Sequence, residues 1–265
     1  MNLNSIEKAK KRIQQMSPDT AQAVIFGLSG NPPTLHHLVF IKHLMRRYST
    51  VHVILNRQSP LKARGDEVDV EIRFEMLQAM MGAEKLDSNH CILERLEMDR
   101  APPSRMIETI SALILNAERD SKFTLALGLD CLVDFEKWYK WQHFGDVCDI
   151  KFYPRPGMVI PVQQMKNTLK AMVSHHIHVT LVYHSREQKK VYEMILPHTS
   201  SRPSAETRGE ISLLAEDILM SEGSSTALRY YYSDNNADNS KVPSDIHSVV
   251  DAIIRKRGLY GYHQQ

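Results

Sequence analysis

Ala23-Val24-Ile25-Phe26-Gly27-Leu28-Ser29-Gly30-Asn31-Pro32-Pro33-Thr34-Leu35-His36-His37-Leu38 is the stretch on which the fold turns. Four apolar residues with strand propensity run into a turn holding two glycines. That turn opens a helix whose apolar stripe is Leu38, Ile41 and Met45. Similar β-rich runs recur at Val51-His52-Val53-Ile54-Leu55, Phe123-Thr124-Leu125-Ala126-Leu127, Ile150-Lys151-Phe152-Tyr153 and His178-Val179-Thr180-Leu181-Val182. They are nearly continuous in apolar residues, as strands covered by helices on both faces tend to be. Between the second and third runs, Val70, Phe74, Leu77 and Met81 form one helical stripe, expected to end at Gly82. Strand–helix–strand alternation of this kind predicts an α/β protein, a doubly wound parallel sheet of about five strands with right-handed crossovers.

A chain of 265 residues suits one α/β core with a small appendage. The spacing of elements suggests an N-terminal helical extension over residues 1–20, a core over 21–184, and a small C-terminal helical subdomain over 185–265. With 42% apolar and 24% charged residues the composition is that of an ordinary globular protein. A formal charge of +2 and a pI near 8.3 are too mild to indicate a nucleic-acid or membrane surface. Cys91, Cys131 and Cys148 are odd in number and lack CxxC spacing, which argues against a disulfide framework or structural zinc and fits a reducing cytoplasm. No apolar run approaches the ~18 residues of a membrane span. Met1 to Met16 mixes charged and apolar residues and reads as a short amphipathic helix rather than a signal peptide.

From Ser185 to about Glu222 the pattern weakens, and Thr199 to Ser204 and Ser233 to Ser240 read as polar loops. After Pro243 an apolar stripe returns with Ile246, Val249, Val250, Ile253 and Ile254. Arg255, Lys256 and Arg257 fill its last turn, and Gly258 stands where a left-handed cap belongs. Four histidines near the fifth strand, His175, His176, His178 and His184, lack an acid or cysteine to complete a metal site, and none is assigned.

Three segments suit phosphate and nucleotide handling. In the first turn, Thr34 and His37 are three apart and share a face at a helix N-terminus, where free N–H groups and the dipole favour an anion. In Gly223-Ser224-Ser225-Thr226-Ala227-Leu228-Arg229, hydroxyls before a helix and an arginine one turn on make a second anion cradle. Either segment alone is also an ordinary helix start. The third, Gly128-Leu129-Asp130 through Lys137-Trp138-Tyr139-Lys140-Trp141, offers a carboxylate and aromatic faces for a planar heterocycle. Tryptophans three apart on a helix are more often core anchors, and one of the two is expected to be that.

Together these segments resemble the nicotinate/nicotinamide mononucleotide adenylyltransferases, nucleotidylyltransferases with a Rossmann-like fold. The family's opening G-x-[ST]-F-[DN]-P-x-[HT]-x-G-H is matched by Gly27, Ser29, Asn31, Pro32, Thr34 and His37. Its closing S-S-T-x-[IV]-R is matched by Ser224, Ser225, Thr226 and Arg229, with Leu228 at the aliphatic position. Asp130 with Lys137 to Trp141 looks like its G-x-D-x-L…K-W-Y-x-W segment, and Pro60 with Lys62 like its P-x-K loop. Arg155-Pro156-Gly157 resembles its R-P-G, Val242-Pro243 through Gly258-Leu259-Tyr260 its terminal helix, and Ser104 with Thr109 its S-x-T-x-x-T helix start. The resemblance covers roughly residues 21–184 and 223–260. The sequence departs from the pattern at Leu28, Gly30, His36, Leu61 and Met106.

The resemblance implies transfer of the adenylyl group of ATP to nicotinate or nicotinamide mononucleotide, without a covalent enzyme intermediate. It gives catalytic roles to His37, Thr34, Lys62 and Arg229, and ATP contacts to Gly27, Ser29, Asn31, Gly128, Asp130, Ser224, Ser225 and Thr226. Ser104, Thr109, Trp138, Trp141 and Arg155 would contact the second substrate. Mg²⁺ would be held through ATP phosphates and water rather than by a protein carboxylate cluster. The implied partners are small molecules, not nucleic acid or membrane, with self-association left open. Two alternatives stay open: another phosphate acceptor, such as phosphopantetheine or glycerol phosphate, and a non-catalytic nucleotide sensor.

Overall fold

The computed structural model describes residues 3–17, 20–58, 68–103, 105–117, 120–154, 161–196, 209–217, 224–234 and 242–262. The strands are β1 (Ala21–Leu28), β2 (Thr50–Leu55), β3 (Cys91–Glu94), β4 (Ser121–Gly128), β5 (Asp149–Tyr153), β6 (Val179–Tyr183) and β7 (Ile211–Ala215). They form one sheet in the order β3-β2-β1-β4-β5-β6-β7. The expected Rossmann-like parallel architecture is present, with seven strands rather than about five. The two strands that the sequence left unmarked are atypical. β3 is only four residues long and mostly half-buried, and β7 has a half-exposed, irregular burial pattern. β7 also lies within the C-terminal stretch expected to be helical.

The helices are α1 (Leu3–Gln14), α2 (Leu35–Met45), α3 (Val70–Ala83), α4 (Met106–Asn116), α5 (Asp130–Asp134), α6 (Val162–Ser174), α7 (Arg186–Ile195), α8 (Ser225–Ser233) and α9 (Ser248–Arg257). Short 3₁₀ turns occur at Phe135–Lys137, Trp141–Asp146 and Leu259–Gly261. None of the described helices is long and apolar enough to cross a membrane.

The chain divides into two compact units, residues 1–26 with 105–218, and residues 27–104 with 219–265. In the first unit β1 pairs with β4, β4 with β5, β5 with β6 and β6 with β7, all in parallel. The middle of β4, Phe123 to Leu127, is buried throughout, which is why its sequence is apolar at every position but Thr124 and does not alternate. Phe135 is fully buried and gathers Trp138, Trp141, Phe144 and Phe152 at ring-centroid distances of 5.4, 6.4, 5.2 and 6.3 Å. α1 lies on α4, burying Ile6 and Ala9. Arg12 on α1 closes the end of α4, donating to the carbonyls of Ile114 (2.8 Å), Leu115 (3.2 Å) and Ala117 (2.7 Å) and to Asp120. A helix leaves its last carbonyls without intrahelical donors, and this guanidinium supplies them.

In the second unit β2 and β3 pair in parallel. α3 buries Phe74, Leu77 and Met81 of the stripe expected from the sequence, leaves Val70 half-buried, and buries Met76 and Met80 as well. Its end differs from expectation: Gly82 lies inside the helix, and the left-handed residue is Lys85 (φ 52°). A terminal glycine signals a cap only when the chain reverses there. α9 ends as expected at Gly258 (φ 59°). Its Asp251 accepts from Tyr232 of α8 (2.7 Å) and from Arg255 (2.8 Å), a buried polar set with its donors supplied.

The Arg12 clamp yields a stability prediction. Arg12→Met keeps the aliphatic stem and removes the donors, and should lower the unfolding free energy by about 1–2 kcal/mol. An unchanged urea midpoint would show that water serves those carbonyls equally well.

Candidate functional site

The second unit contains a built turn. After β1 the chain reverses at Gly30 (φ 53°), where a Cβ would stand 2.9 Å from Leu55 Cδ1, so only glycine fits without displacement. Leu28, a departure from the family pattern, is buried, with its side chain beside Gly30. Thr34 is the N-cap of α2 and forms a reciprocal capping box with His37. The His37 amide donates to Thr34 Oγ1 (3.3 Å), and the Thr34 amide donates to His37 Nδ1 (3.0 Å). Thr34 Oγ1 also lies 2.8 Å from Nδ1. A main-chain N–H can only donate, so Nδ1 is an acceptor and the neutral ring carries its proton on Nε2. His37 is thus set as an Nε2–H donor. The ring of His36 lies 6.3 Å from that of His37, edge-on.

The sequence suggested that the free amides of α2 would cradle an anion. Two are already engaged: Leu35 N donates to Asp245 O (2.9 Å) and His37 N to Thr34. Side chains therefore carry more of any anion binding here than the helix terminus alone.

The Ser224–Arg229 segment docks on the turn after β1. Ser224 caps α8 by accepting from Ala227 N (3.0 Å). Ser225 donates its hydroxyl to Pro32 O (2.8 Å), across 193 residues. Arg229 donates to Asn31 O (2.8 Å) with one nitrogen and to Thr226 Oγ1 (3.2 Å) with another. Asn31 is buried, and its Oδ1 accepts from Val68 N (3.3 Å) and Tyr260 Oη (2.9 Å). Ser225 and Arg229 do converge, as their spacing implies, but on the backbone of the opening turn. Thr226 is exposed beside the guanidinium.

Arg73 was not singled out from sequence. It is 1% exposed, and its guanidinium donates to Val68 O (2.8 Å), Ser29 O (2.6 Å), Asn56 O (3.0 Å) and Arg57 O (2.9 Å). It joins the turn after β1, the segment after β2 and the entry to α3. The available signal was a charged residue beside Phe74 within the buried part of the helix. Tyr260 drew notice only through a motif, yet its hydroxyl reaches the same turn.

In the first unit, Gly128 ends β4, the Leu129 amide donates to Tyr153 O (2.8 Å), and Asp130 begins α5 exposed to solvent. Trp138 and Trp141 do not share a helix, because the chain turns left-handed at Lys140 (φ 51°) between them. Both are half-buried against Phe135, and Trp141 meets His175 edge-on at 4.8 Å. Arg105 lies 4.1 Å over the ring of Tyr139. Thr109 is fully buried in α4 and its hydroxyl donates back to Arg105 O (3.4 Å), so it faces the core. Gly27 is half-buried within β1. Lys62, Ser104, Arg155 and Gly223 lie outside the described residues. Among the described residues no group of three or more His, Cys, Asp or Glu side chains is placed to hold a metal ion.

The chain belongs to the cytidylyltransferase-like family, whose model matches residues 26–229. It is similar to a protein of Yersinia pestis described as a probable nicotinate-nucleotide adenylyltransferase, 28% identical over 143 residues. That match takes in 53% of this chain and 63% of the relative, so the chain spans less than two thirds of that relative's length. A Marinomonas protein with the same description is 34% identical over 85 residues, 32% of this chain and 37% of its own. Among solved structures, the nicotinic acid mononucleotide adenylyltransferase of Plasmodium falciparum, complexed with NaAD, superposes with a TM-score of 0.61. The superposition covers 92% of this chain and all of that one, at 16% identity, a likeness of fold.

The buried guanidinium gives a direct test of what holds the turn. Arg73→Met removes a buried donor from four part-buried carbonyls and should cost about 3–5 kcal/mol. Arg73→Lys, a point charge lacking the planar fork, should fall between the two. Urea unfolding measures both, and a Lys variant equal to wild type would show that charge alone suffices.

Proposed function

We propose that this chain transfers the adenylyl group of ATP to nicotinate or nicotinamide mononucleotide, releasing the dinucleotide and pyrophosphate. One observation carries the reading. Two segments far apart in sequence, each suited to phosphate, meet at the Asn31–His37 turn through Ser225 and Arg229. An isolated helix cap would have no reason to recruit an arginine from α8. Family membership and the descriptions of the Yersinia and Plasmodium proteins support the same chemistry.

In the reaction an oxygen of the mononucleotide phosphate attacks the α-phosphorus of ATP in line. The bond to the bridging oxygen breaks, and pyrophosphate leaves with that electron pair. Such transfer depends on positioning and charge neutralisation rather than a covalent enzyme nucleophile. His37, held as an Nε2–H donor by Thr34, is assigned to the α-phosphate and its bridging oxygen. Arg229 and Lys62 are assigned to the triphosphate and the departing pyrophosphate, with Thr226 donating beside them. Ser225, engaged with Pro32 O, supports the turn rather than the ligand. The resemblance assigns the base or pyridine ring to Asp130 and the Trp138–Trp141 segment, whereas Thr109 acts within α4.

The donors gathered in the second unit are hydroxyls, an imidazole N–H and guanidinium groups, chemistry for an anion rather than a divalent cation. Mg²⁺ would therefore arrive bound to the phosphates of ATP, where it would neutralise charge on the transferring group.

The decisive assay mixes the protein with ATP, Mg²⁺ and either mononucleotide and measures pyrophosphate and dinucleotide. Product is expected with at least one acceptor and should vanish with excess EDTA. ATP binding without product from either acceptor would favour a nucleotide sensor, and product only with another phosphate ester would reassign the acceptor. His37→Ala should lower turnover by about two to three orders of magnitude with folding intact. Turnover near wild type would remove His37 from the mechanism.

A further inference from the structure

Tyr260 sits in an unusual position. Between Gly258 (φ 59°) and Gly261 (φ 82°), it adopts a left-handed backbone (φ 59°, ψ 27°). The glycines take that conformation freely, but a bulky aromatic residue rarely does, and such outliers persist where surrounding contacts hold them. Here the holding contact is specific. The Tyr260 hydroxyl donates to Asn31 Oδ1 at 2.9 Å, while Val68 N donates to the same oxygen at 3.3 Å. Arg229 meanwhile donates to the carbonyl of Asn31 at 2.8 Å. One buried residue of the phosphate-handling turn is thus gripped by the 3₁₀ turn after α9, by the lead into α3 and by α8.

The electrostatics keep that hydroxyl a donor. Burial raises its pKa, and the positive charges of Arg73 and Arg229 oppose the shift without cancelling it. The phenol therefore keeps its proton at neutral pH and points it at an amide oxygen, leaving the Arg229 guanidinium with no competing phenolate nearby.

We propose that Tyr260 is a positioning residue whose hydroxyl fixes Asn31, and through it Arg229, in the arrangement that receives the triphosphate of ATP. The proposal rests on the adenylyl-transfer reading above. Tyr260 acts on the ATP side alone, so its loss must separate the two substrates. A purely structural tyrosine would instead reduce the active fraction, lowering kcat and leaving both KM values unchanged. Tyr232 provides that comparison, because its hydroxyl donates to Asp251 rather than to the turn.

The test compares Tyr260→Phe, Tyr232→Phe, Asn31→Ala and the Tyr260→Phe/Asn31→Ala pair. Tyr260→Phe should raise the KM for ATP about tenfold, the scale expected of a misplaced charged donor. Its KM for the mononucleotide should stay within about twofold and its melting temperature close to wild type. The double variant should lose no more ATP affinity than Asn31→Ala alone, since one residue acts through the other. Tyr232→Phe should lower the melting temperature and leave the KM for ATP unchanged. Calorimetric binding of α,β-methylene-ATP reads the same loss without turnover. If wild type binds the analogue but forms no dinucleotide, the transfer reading fails, and the calorimetric ratio alone decides for or against Tyr260. Wild-type ATP affinity in Tyr260→Phe, equal changes for both substrates, or additive losses in the double variant would each overturn the proposal, as would a wild-type chain that binds no analogue.

Discussion

A guanidinium buried among four backbone carbonyls is the constraint on which the second unit depends. Loops at the carboxyl ends of parallel strands have no ladder to satisfy their backbone groups, and a carbonyl buried without a donor is costly. Arg73 meets that need for Ser29, Asn56, Arg57 and Val68 at once. Its planar fork sets directions as well as distances, so the segments it joins share one geometry. The capping box of Thr34 and His37 is built on that frame, as is the docking of α8.

Hydrogen bonding also explains the chemical character of the turn. The Thr34 amide selects the tautomer of His37, and the Asn31 carbonyl sets one edge of Arg229. His37 and Arg229 are thus oriented by the backbone of the same few residues. Preorganisation of this kind is what a reaction without a covalent intermediate requires, because the donors need not rearrange as charge develops.

The central strands were legible because burial on both faces favours nearly continuous apolar runs, as in Phe123–Leu127, where only Thr124 is polar. β3 and β7 were not: four residues are too few for a period, and half-exposed β7 mixes polar and apolar positions. Thr34 and His37 could be paired from spacing alone, since residues three apart share a face at a helix start. What the residues between Ser224 and Arg229 would touch could not be read the same way, because Pro32 and Asn31 are close only in the folded chain. Arg73 was hidden for a related reason. Its partners are main-chain carbonyls, which leave no mark on residue identity. The left-handed residues Lys85, Lys140 and Tyr260 escaped notice because none is a glycine.

The clasp between Ser225 and Pro32 spans 193 residues, and synthesis is vectorial. At typical translation rates of roughly 5–20 residues per second, about 10–40 s separate the emergence of the two partners from the ribosome. During that interval the nascent turn lacks Arg229, and its neighbours must fold without that donor to Asn31 O. Arg229 reaches the turn only once α8 has been made, so a translation product stalled before α8 would hold His37 but not Arg229.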